Sequence, residues 1–307
     1  MNSNLKAHFA LSAVALIYGA NYIIAKTVMP DPIGPNSFIV LRVLGAMVIF
    51  WMIAFRHFQF PDKQDWPRFI ACGLTGVAIN QLFFFNGLSL TSPINSAIIM
   101  TSNPILVMII SAILLKSKIT ALKIIGVVVG AIGAITLLLL SNMTKQPGVN
   151  VQGDLYILIN SISYAFYLTL VKPLMTKYHP LLVIAWVFTL GLLVVLPFGF
   201  NSLGTVAWEN LNTWQWFSVF YVIVFTTFLT YLFNILALSK LTPAIASAYI
   251  YFQPLLAGVF SFLFSIWLDK DYTGDITWAK AGCTALIFAG VYLVSKSDTS
   301  QLQAERN

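Results

Sequence analysis

Charged residues are scarce in this sequence of 307 residues. Only 9% of the residues are Asp, Glu, Lys or Arg, whereas 59% are hydrophobic, and the mean hydropathy is +0.85. A soluble globular domain usually carries about 25% charged residues. The composition therefore excludes an ordinary soluble domain and is typical of an integral membrane protein.

Acidic residues are rare inside the apolar part of the chain. Asp154 opens the sixth apolar run and Asp269 follows the ninth, and none of the 10 acidic residues lies deep in a run. The three histidines, His8, His57 and His179, all fall near the ends of runs. A serine protease needs a His beside its nucleophile, and an aspartic protease needs a pair of Asp. The sequence therefore argues against an intramembrane enzyme.

Cysteine is also scarce. Cys72 and Cys283 both lie in apolar runs, without the spacing of a disulfide framework or a metal site. The net charge of +7 is not gathered into the basic stripe that nucleic-acid binding requires. We therefore expect no cofactor, no metal and no nucleic-acid partner.

Long apolar runs fill the chain. A bilayer core about 30 Å thick needs about 20 apolar residues per helix. Ten such spans are predicted, at residues 7–27, 35–55, 68–88, 93–115, 121–141, 153–172, 181–200, 214–237, 243–267 and 277–295. The expected fold is an all-α integral membrane protein with ten transmembrane helices, which has the lipid bilayer as a partner.

The basic residues predict the orientation of the chain. With the N-terminus in the cytoplasm, twelve Lys and Arg fall on the inner side, and only Lys26, Lys145, Lys270 and Lys280 fall on the outer side. This bias matches the excess of positive charge in cytoplasmic loops. We expect a multi-pass protein of the cell (inner) membrane with both termini in the cytoplasm.

A proline pair occurs twice in the chain. The segment PINSAIIMTSNP runs from Pro93 to Pro104, and PAIASAYIYFQP runs from Pro243 to Pro254. The spacing of eleven is the same in both, and the offset between them is 150 residues. This predicts two five-helix repeats, residues 1–145 and 146–307. Because five is odd, the second repeat would be inverted, which is typical of secondary transporters.

Several motifs together resemble a known family. They are Tyr18-Gly19 in the first helix, Arg42 in the second, the proline pairs that open the fourth and ninth, and the glycines of the fifth (Gly126, Gly130 and Gly133). In this order the sequence resembles the EamA family of the drug/metabolite transporter superfamily. The resemblance implies ten helices, transport of small metabolites without a cofactor, and export. It leaves open whether the protein is a monomer or a homodimer.

Uncharged polar residues at helical spacing are the candidate site. In the eighth helix Thr227, Thr230, Tyr231 and Asn234 share a face, and similar stripes occur in other spans. Such faces look away from lipid, either to bind a substrate or to join helices by hydrogen bonds. The full candidate substrate-binding set is Tyr18, Asn21, Tyr22, Arg42, Asn80, Gln81, Asn95, Ser102, Asn103, Tyr164, Tyr167, Thr227, Thr230, Tyr231, Asn234, Tyr249 and Gln253.

Pro104 and Pro254 are the candidate hinges. A proline inside a helix removes a backbone hydrogen bond, here to the carbonyls of Met100 and Ile250, and bends the helix. In lipid such a freed carbonyl needs a partner from the protein or from a wet cavity. The pattern favours a transporter of neutral or zwitterionic metabolites, such as amino acids or their derivatives. A carrier of anionic sugar phosphates or nucleotide sugars, and a scaffold or sensor without transport, stay open.

Overall fold

The computed structural model describes residues 3–115, 120–142 and 151–268, together with twelve residues between 282 and 297. In these ranges the regular structure is helical and no strand occurs. The expected all-α membrane class is confirmed. The tenth predicted span falls on residues 277–295, where the described residues begin at 282 and are helical.

Nine helices are described in full or nearly so before that segment. Their bounds are α1 Ser3–Ile24, α2 Pro35–Ala54, α3 Trp66–Leu90, α4 93–114, α5 Ala121–Asn142, α6 Val151–Lys177, α7 Pro180–Leu203, α8 Thr213–Leu238 and α9 243–268. Eight of them, all except α5, are long and apolar enough to cross a membrane. In α5 a shorter apolar helix, Ala121–Gly133, is found.

Helix starts follow local sequence. Pro35, Pro180 and Pro243 each stand in the first turn of a helix, where the missing N–H would have had no partner. Asn212 caps α8 by accepting a hydrogen bond from the Gln215 backbone N–H, and the Gln215 side chain accepts in return from the Asn212 N–H. Turn chemistry therefore fixes where these membrane helices begin.

Helices α4 and α9 are both broken in the same place relative to their proline pairs. A 3₁₀ turn covers Met100–Ser102 in α4 and Tyr249–Phe252 in α9, and the α-helix restarts directly before the second proline. The N–H of Asn103 donates to the Met100 carbonyl, and the next break repeats this contact between residues 253 and 250. The tighter turn therefore satisfies the carbonyls that the prolines would otherwise free, within the same chain.

Helices α3 and α8 each contain a π-helical stretch. It covers Leu74–Ala78 in α3 and Val222–Leu229 in α8. A π turn places more residues in each turn than an α-helix does and shifts the face that later side chains share. Irregular backbone therefore occurs in the third and eighth helices as well as in the fourth and ninth.

The helix contacts follow an exchange pattern, which means that they stay the same when each of the first four helices is exchanged with the helix five positions later. Helix α1 packs on α8 and α9, and α6 packs on α3 and α4. Helix α2 contacts the π stretch of α8, and α7 contacts that of α3, while α2 and α7 also pack on each other. Exchanging α1 with α6, α2 with α7, α3 with α8 and α4 with α9 leaves these contacts unchanged. The arrangement surrounds a centre formed by α1, α2, α3, α4, α6, α8 and α9.

Glycine allows α5 to approach the last helical segment closely. A Cβ added to Gly126 would lie 2.9 Å from the Gly290 carbonyl oxygen, and one added to Gly290 would lie 2.5 Å from that of Gly126. These distances leave no room for a side chain. Gly126 therefore serves packing inside the chain, as small residues do between membrane helices.

A polar cluster joins the α2–α3 loop to the turn between α6 and α7. The Lys177 ammonium lies 2.6 Å from Asp62 Oδ2 and 2.5 Å from Asp65 Oδ2. The Tyr178 hydroxyl also donates to Asp65 at 2.7 Å. Hydrogen bonds from Lys177 and Tyr178 hold the pKa of the Asp65 carboxyl below its ordinary value. The cluster ties this end of the bundle together.

Candidate functional site

A polar cavity lies at the centre of the bundle. Its volume is about 40 Å³, which is room for a few water molecules. Seven helices contribute to its wall, which is lined by Tyr18, Asn21, Tyr22, Arg42, Asn80, Gln81, Phe84, Met100, Asn160, Tyr164, Thr226 and Gln253. Eight of these twelve residues belong to the set predicted from the sequence.

Arg42 brings a positive charge to this wall. Its side chain is only 2% exposed, its Nε donates to Thr227 Oγ1 at 2.9 Å, and its guanidinium carbon lies 4.2 Å from the centre of the Phe85 ring. No carboxylate of the described residues pairs with it. A buried charge is costly without a partner. The arginine is therefore suited to meet an anionic group that enters the cavity.

Asn80, Gln81 and Tyr231 form a hydrogen-bonded network next to the cavity. Gln81 Nε2 donates to the Tyr231 hydroxyl at 2.7 Å and to Asn80 Oδ1 at 3.1 Å. The Tyr231 hydroxyl donates in turn to the Gly76 carbonyl at 2.6 Å, which lies in the π stretch of α3. The network joins α3 to α8 and holds the amide groups of Asn80 and Gln81 at the wall.

Gln253 connects the break in α9 to α1. The Tyr22 hydroxyl donates to Gln253 Oε1 at 2.8 Å, and both side chains line the cavity. Gln253 is the first residue of the helix that restarts after the 3₁₀ turn. The break therefore places a polar side chain directly at the site.

A smaller cavity continues from the central one. Its volume is about 10 Å³, and it shares Tyr18, Tyr164 and Gln253 with the central cavity. The predicted residues Asn234 and Tyr249 line this second space. The Tyr249 hydroxyl lies 2.8 Å from Nδ1 of His8, near the start of α1. This contact joins α1 to α9 at the end of the second cavity.

Some predicted residues join helices and do not line either cavity. Asn103 Nδ2 donates to the Ser161 carbonyl at 2.7 Å, and Ser102 Oγ lies 3.0 Å from Ser161 Oγ. Tyr167 packs against Gly76, where an added Cβ would lie 2.2 Å from its ring. These contacts hold α6 against α3 and α4, so they belong to helix packing.

Two predicted threonines of α8 also have internal partners. Thr227 Oγ1 donates to the Val222 carbonyl at 2.6 Å and accepts from Arg42. Thr230 Oγ1 donates to the Thr226 carbonyl at 2.5 Å. Neither threonine lines the central cavity, and their hydrogen bonds hold Arg42 and the backbone of α8 in place next to it. The side chain of Asn95 lies outside the described residues.

Four lining residues were absent from the predicted set. Asn160 lies on the polar stripe of α6, and this stripe was a signal for it. Thr226 was left out because the prediction used α-helical spacing, whereas the π stretch of α8 turns Thr226 toward the cavity. Phe84 and Met100 are apolar residues in apolar helices, and nothing in the sequence distinguished them from residues that face lipid.

Two other cations do not reach the cavity wall. The Lys172 ammonium donates to the carbonyls of Leu238 and, at 2.8 Å, Leu241, at the end of α8. Lys26 lies in a short 3₁₀ turn, Ala25–Thr27, at the end of α1. Neither lines the central cavity. Among the described residues, Arg42 is therefore the single cation on its wall.

Comparison with known proteins decides the family. The model of the EamA-like transporter family matches the chain over residues 5–139 and again over 151–296. The chain belongs to the EamA-like transporter family. This confirms the resemblance seen in the sequence, and it makes the protein a multi-pass membrane transporter.

Individual relatives agree with this assignment. An uncharacterized transporter of Archaeoglobus fulgidus is 22% identical, covering 95% of this chain and 98% of its own length. The uncharacterized transporter YyaM of Bacillus subtilis is 23% identical over 84% of this chain and 86% of its own. The protein WALLS ARE THIN 1 of Arabidopsis thaliana is 22% identical over 94% and 82%. The names of the first two relatives describe transporters.

A solved crystal structure has the same fold. It superposes with a TM-score of 0.70 and covers 95% of this chain and 98% of its own, at 16% sequence identity. At this identity the likeness shows the fold alone. The overall fold described above is therefore also found in an experimentally determined structure.

Proposed function

We propose that this EamA-like transporter is a secondary transporter that exports a small neutral or zwitterionic metabolite, such as an amino acid or a derivative. The observation that carries the proposal is the central cavity, which combines amide and hydroxyl groups with one buried arginine. Such a wall can hydrogen-bond a polar solute and meet a single carboxylate.

The proposed mechanism is alternating access between two inverted repeats, residues 1–145 and 146–307. Support comes from the double match of the family model, from the paired breaks in α4 and α9, and from the exchange pattern of helix contacts. Two similar units packed around a site can adopt two related arrangements, each open to one side. Pro104 and Pro254 are the proposed hinges.

The charge of the wall favours this substrate class over a sugar phosphate or nucleotide sugar. Those compounds carry two or more negative charges, and phosphate sites usually combine several donors and cations. Arg42 is the single cation among the described lining residues, since Lys172 is bound to backbone carbonyls. A compound with one carboxylate therefore fits the wall better.

The proposed location is the cell (inner) membrane, with both termini in the cytoplasm, as a monomer or homodimer. The Lys and Arg distribution supports the orientation, and the family resemblance supports export. With twelve basic residues on the inner side against four outside, reversing the chain would oppose the usual bias. A cysteine introduced at the N-terminus and labelled in intact cells with a reagent that does not cross the membrane tests the orientation independently of transport. We expect no labelling, and labelling would contradict a cytoplasmic N-terminus.

The test of the proposed function is solute exchange in liposomes. Purified full-length protein is reconstituted, and the vesicles are loaded with a mixture of amino acids or, in a parallel set, of sugar phosphates. Counterflow of each labelled compound is then measured. We expect flux of at least one of them, and loss of that flux in Arg42→Gln. Flux only for a sugar phosphate would support the anionic carrier. No flux for any amino acid or sugar phosphate would favour a scaffold or sensor.

A further inference from the structure

Three buried polar atoms on the cavity wall have no hydrogen-bond partner among the described residues. They are the amide oxygens of Asn21 and Asn160 and the hydroxyl of Thr226. Each of these side chains is only 1% exposed. A buried polar atom without a partner costs about 1 to 3 kcal/mol. A bound molecule that supplies the missing contacts would recover part of this cost.

The orientation of the Asn160 amide is fixed by its neighbour. Its Nδ2 donates to the backbone carbonyl of Asn80 at 2.8 Å. Exchanging the nitrogen and oxygen would set the amide oxygen against that carbonyl oxygen, with no proton between them. The atom left for a ligand is therefore an acceptor, and it calls for a donor on the molecule that binds.

The remaining wall offers complementary groups. Arg42 supplies donors for an anionic group, and its Nε is already directed to Thr227. Phe84 and Met100 supply apolar surface, and Phe84 also contacts the ring of Tyr22 with ring centres 5.7 Å apart. The cavity therefore combines acceptors, a cation and an apolar surface on one wall.

We infer that Asn21 and Asn160 determine specificity by binding the free amino group of the substrate through their amide oxygens, while Arg42 binds its carboxylate. This rests on the proposed function and narrows it from neutral or zwitterionic metabolites to those with an unblocked amino group. An ammonium carries three N–H donors, enough for both amide oxygens and the Thr226 hydroxyl. A carboxylic acid without nitrogen leaves both amide oxygens unpaired.

The test compares analogues in the same liposomes. For each amino acid that undergoes counterflow, the competitors are its N-acetyl derivative and the acid in which hydrogen replaces the amino group. We expect both to compete at least tenfold more weakly than the parent amino acid. Equal competition by the acid without nitrogen would overturn the inference and leave the proposed function standing. Absence of counterflow for every amino acid would overturn both.

Variants assign the effect to the two asparagines. In Asn21→Leu and Asn160→Leu we expect the preference for the amino acid over its nitrogen-free analogue to fall toward unity. Thr169→Val is the matched control, since Thr169 is buried in α6 and its hydroxyl bonds the Ala165 carbonyl and Ser111 of α4, away from the cavity. It should keep the full preference.

Folded yield is measured by size-exclusion chromatography for each variant, and the analogue series on the unchanged protein decides the question if a variant does not fold. An unchanged preference in both folded leucine variants would overturn the assignment to these residues.

Discussion

Helices α4 and α9 are broken by the same kind of 3₁₀ turn, but the residues after the two turns make different contacts. In α4 the residue after the 3₁₀ turn is Asn103, whose amide donates to the Ser161 carbonyl of α6. In α9 the same position is Gln253, which lines the cavity and accepts from Tyr22. Met100 of the α4 break also lines the cavity, so the contrast concerns the residue after each turn: Asn103 packs against a neighbouring helix, and Gln253 faces the site.

This difference shows that the same 3₁₀ turn can present a side chain either to a neighbouring helix or to the cavity. The second proline, with its restart of the helix, creates the same local geometry in both halves. The contacts made by each side chain then decide whether the break stabilises the bundle or reaches the ligand. We expect substitutions at equivalent positions to affect different measurements.

The largest expected effect is at Gly19, where α1 crosses α9 just after its break. A Cβ there would lie 2.5 Å from Leu256 Cβ and 3.3 Å from the Leu256 carbonyl carbon, so backbone would have to move. We expect Gly19→Ala to lower the free energy of unfolding by about 1 to 3 kcal/mol. Thermal unfolding in detergent measures this.

Gly258→Ala is the control for that prediction, since it lies in α9 two residues after Leu256 and an added Cβ there meets no described atom within 4 Å. It should unfold at or above the original temperature because alanine favours a helix. Equal unfolding temperatures for both variants would contradict the close contact between α1 and α9.

The next effect is on transport, at Gln253. Gln253→Ala removes an amide from the cavity wall and the partner of the Tyr22 hydroxyl. We expect the transport rate at low substrate concentration to fall about tenfold, as for the loss of one buried hydrogen bond of about 1.4 kcal/mol. Gln64→Ala, in an exposed loop, is the control. Unchanged transport would remove Gln253 from the site.

A smaller effect, on stability, is expected at Asn103. Asn103→Ala removes the hydrogen bond of 2.7 Å to the Ser161 carbonyl, and we expect a loss of about 1 kcal/mol in the free energy of unfolding. The concentration of substrate that gives half the maximal transport should stay the same. A change in that concentration at unchanged stability would place Asn103 at the site too, and the contrast with Gln253 would fail.

The smallest effect is expected at Tyr249, whose counterpart in α4 is Ile99 and has no hydroxyl. Tyr249→Phe removes the contact of 2.8 Å with His8. In a double-mutant cycle with His8→Leu we expect a coupling energy of about 0.5 to 1 kcal/mol in unfolding. A coupling energy of zero would show that the contact does not hold α1 to α9.

The fold was largely predictable from sequence. Helix bounds agree with the predicted spans to within a few residues, since apolar runs of this length have few alternatives in a bilayer. The breaks were predictable from Pro104 and Pro254. The sequence predicted that the freed carbonyls would find a partner in the protein or in a wet cavity. It did not say which, and for Met100 the partner is the Asn103 N–H of the same helix, through the 3₁₀ turn.

The site was only partly predictable. Tyr18, Asn21 and Gln81 line the cavity as expected. The sequence placed Thr227 in the site, but Thr226 lines the cavity and Thr227 does not. The reason is that a π turn shifts the register of the helix, and α-helical spacing carries no sign of it. The same polar side chain serves either a ligand or a neighbouring helix, and its sequence position does not distinguish these uses.

The sequence by itself determined the membrane class, the helical spans, the paired breaks and the family. These follow from local chemistry, namely apolar length, proline geometry and motif order. The tertiary structure decided which polar atoms face the cavity and which are used between helices. That distinction depends on partners far apart in the chain, such as Tyr22 with Gln253 and Asn103 with Ser161, and only packing brings them within hydrogen-bond distance.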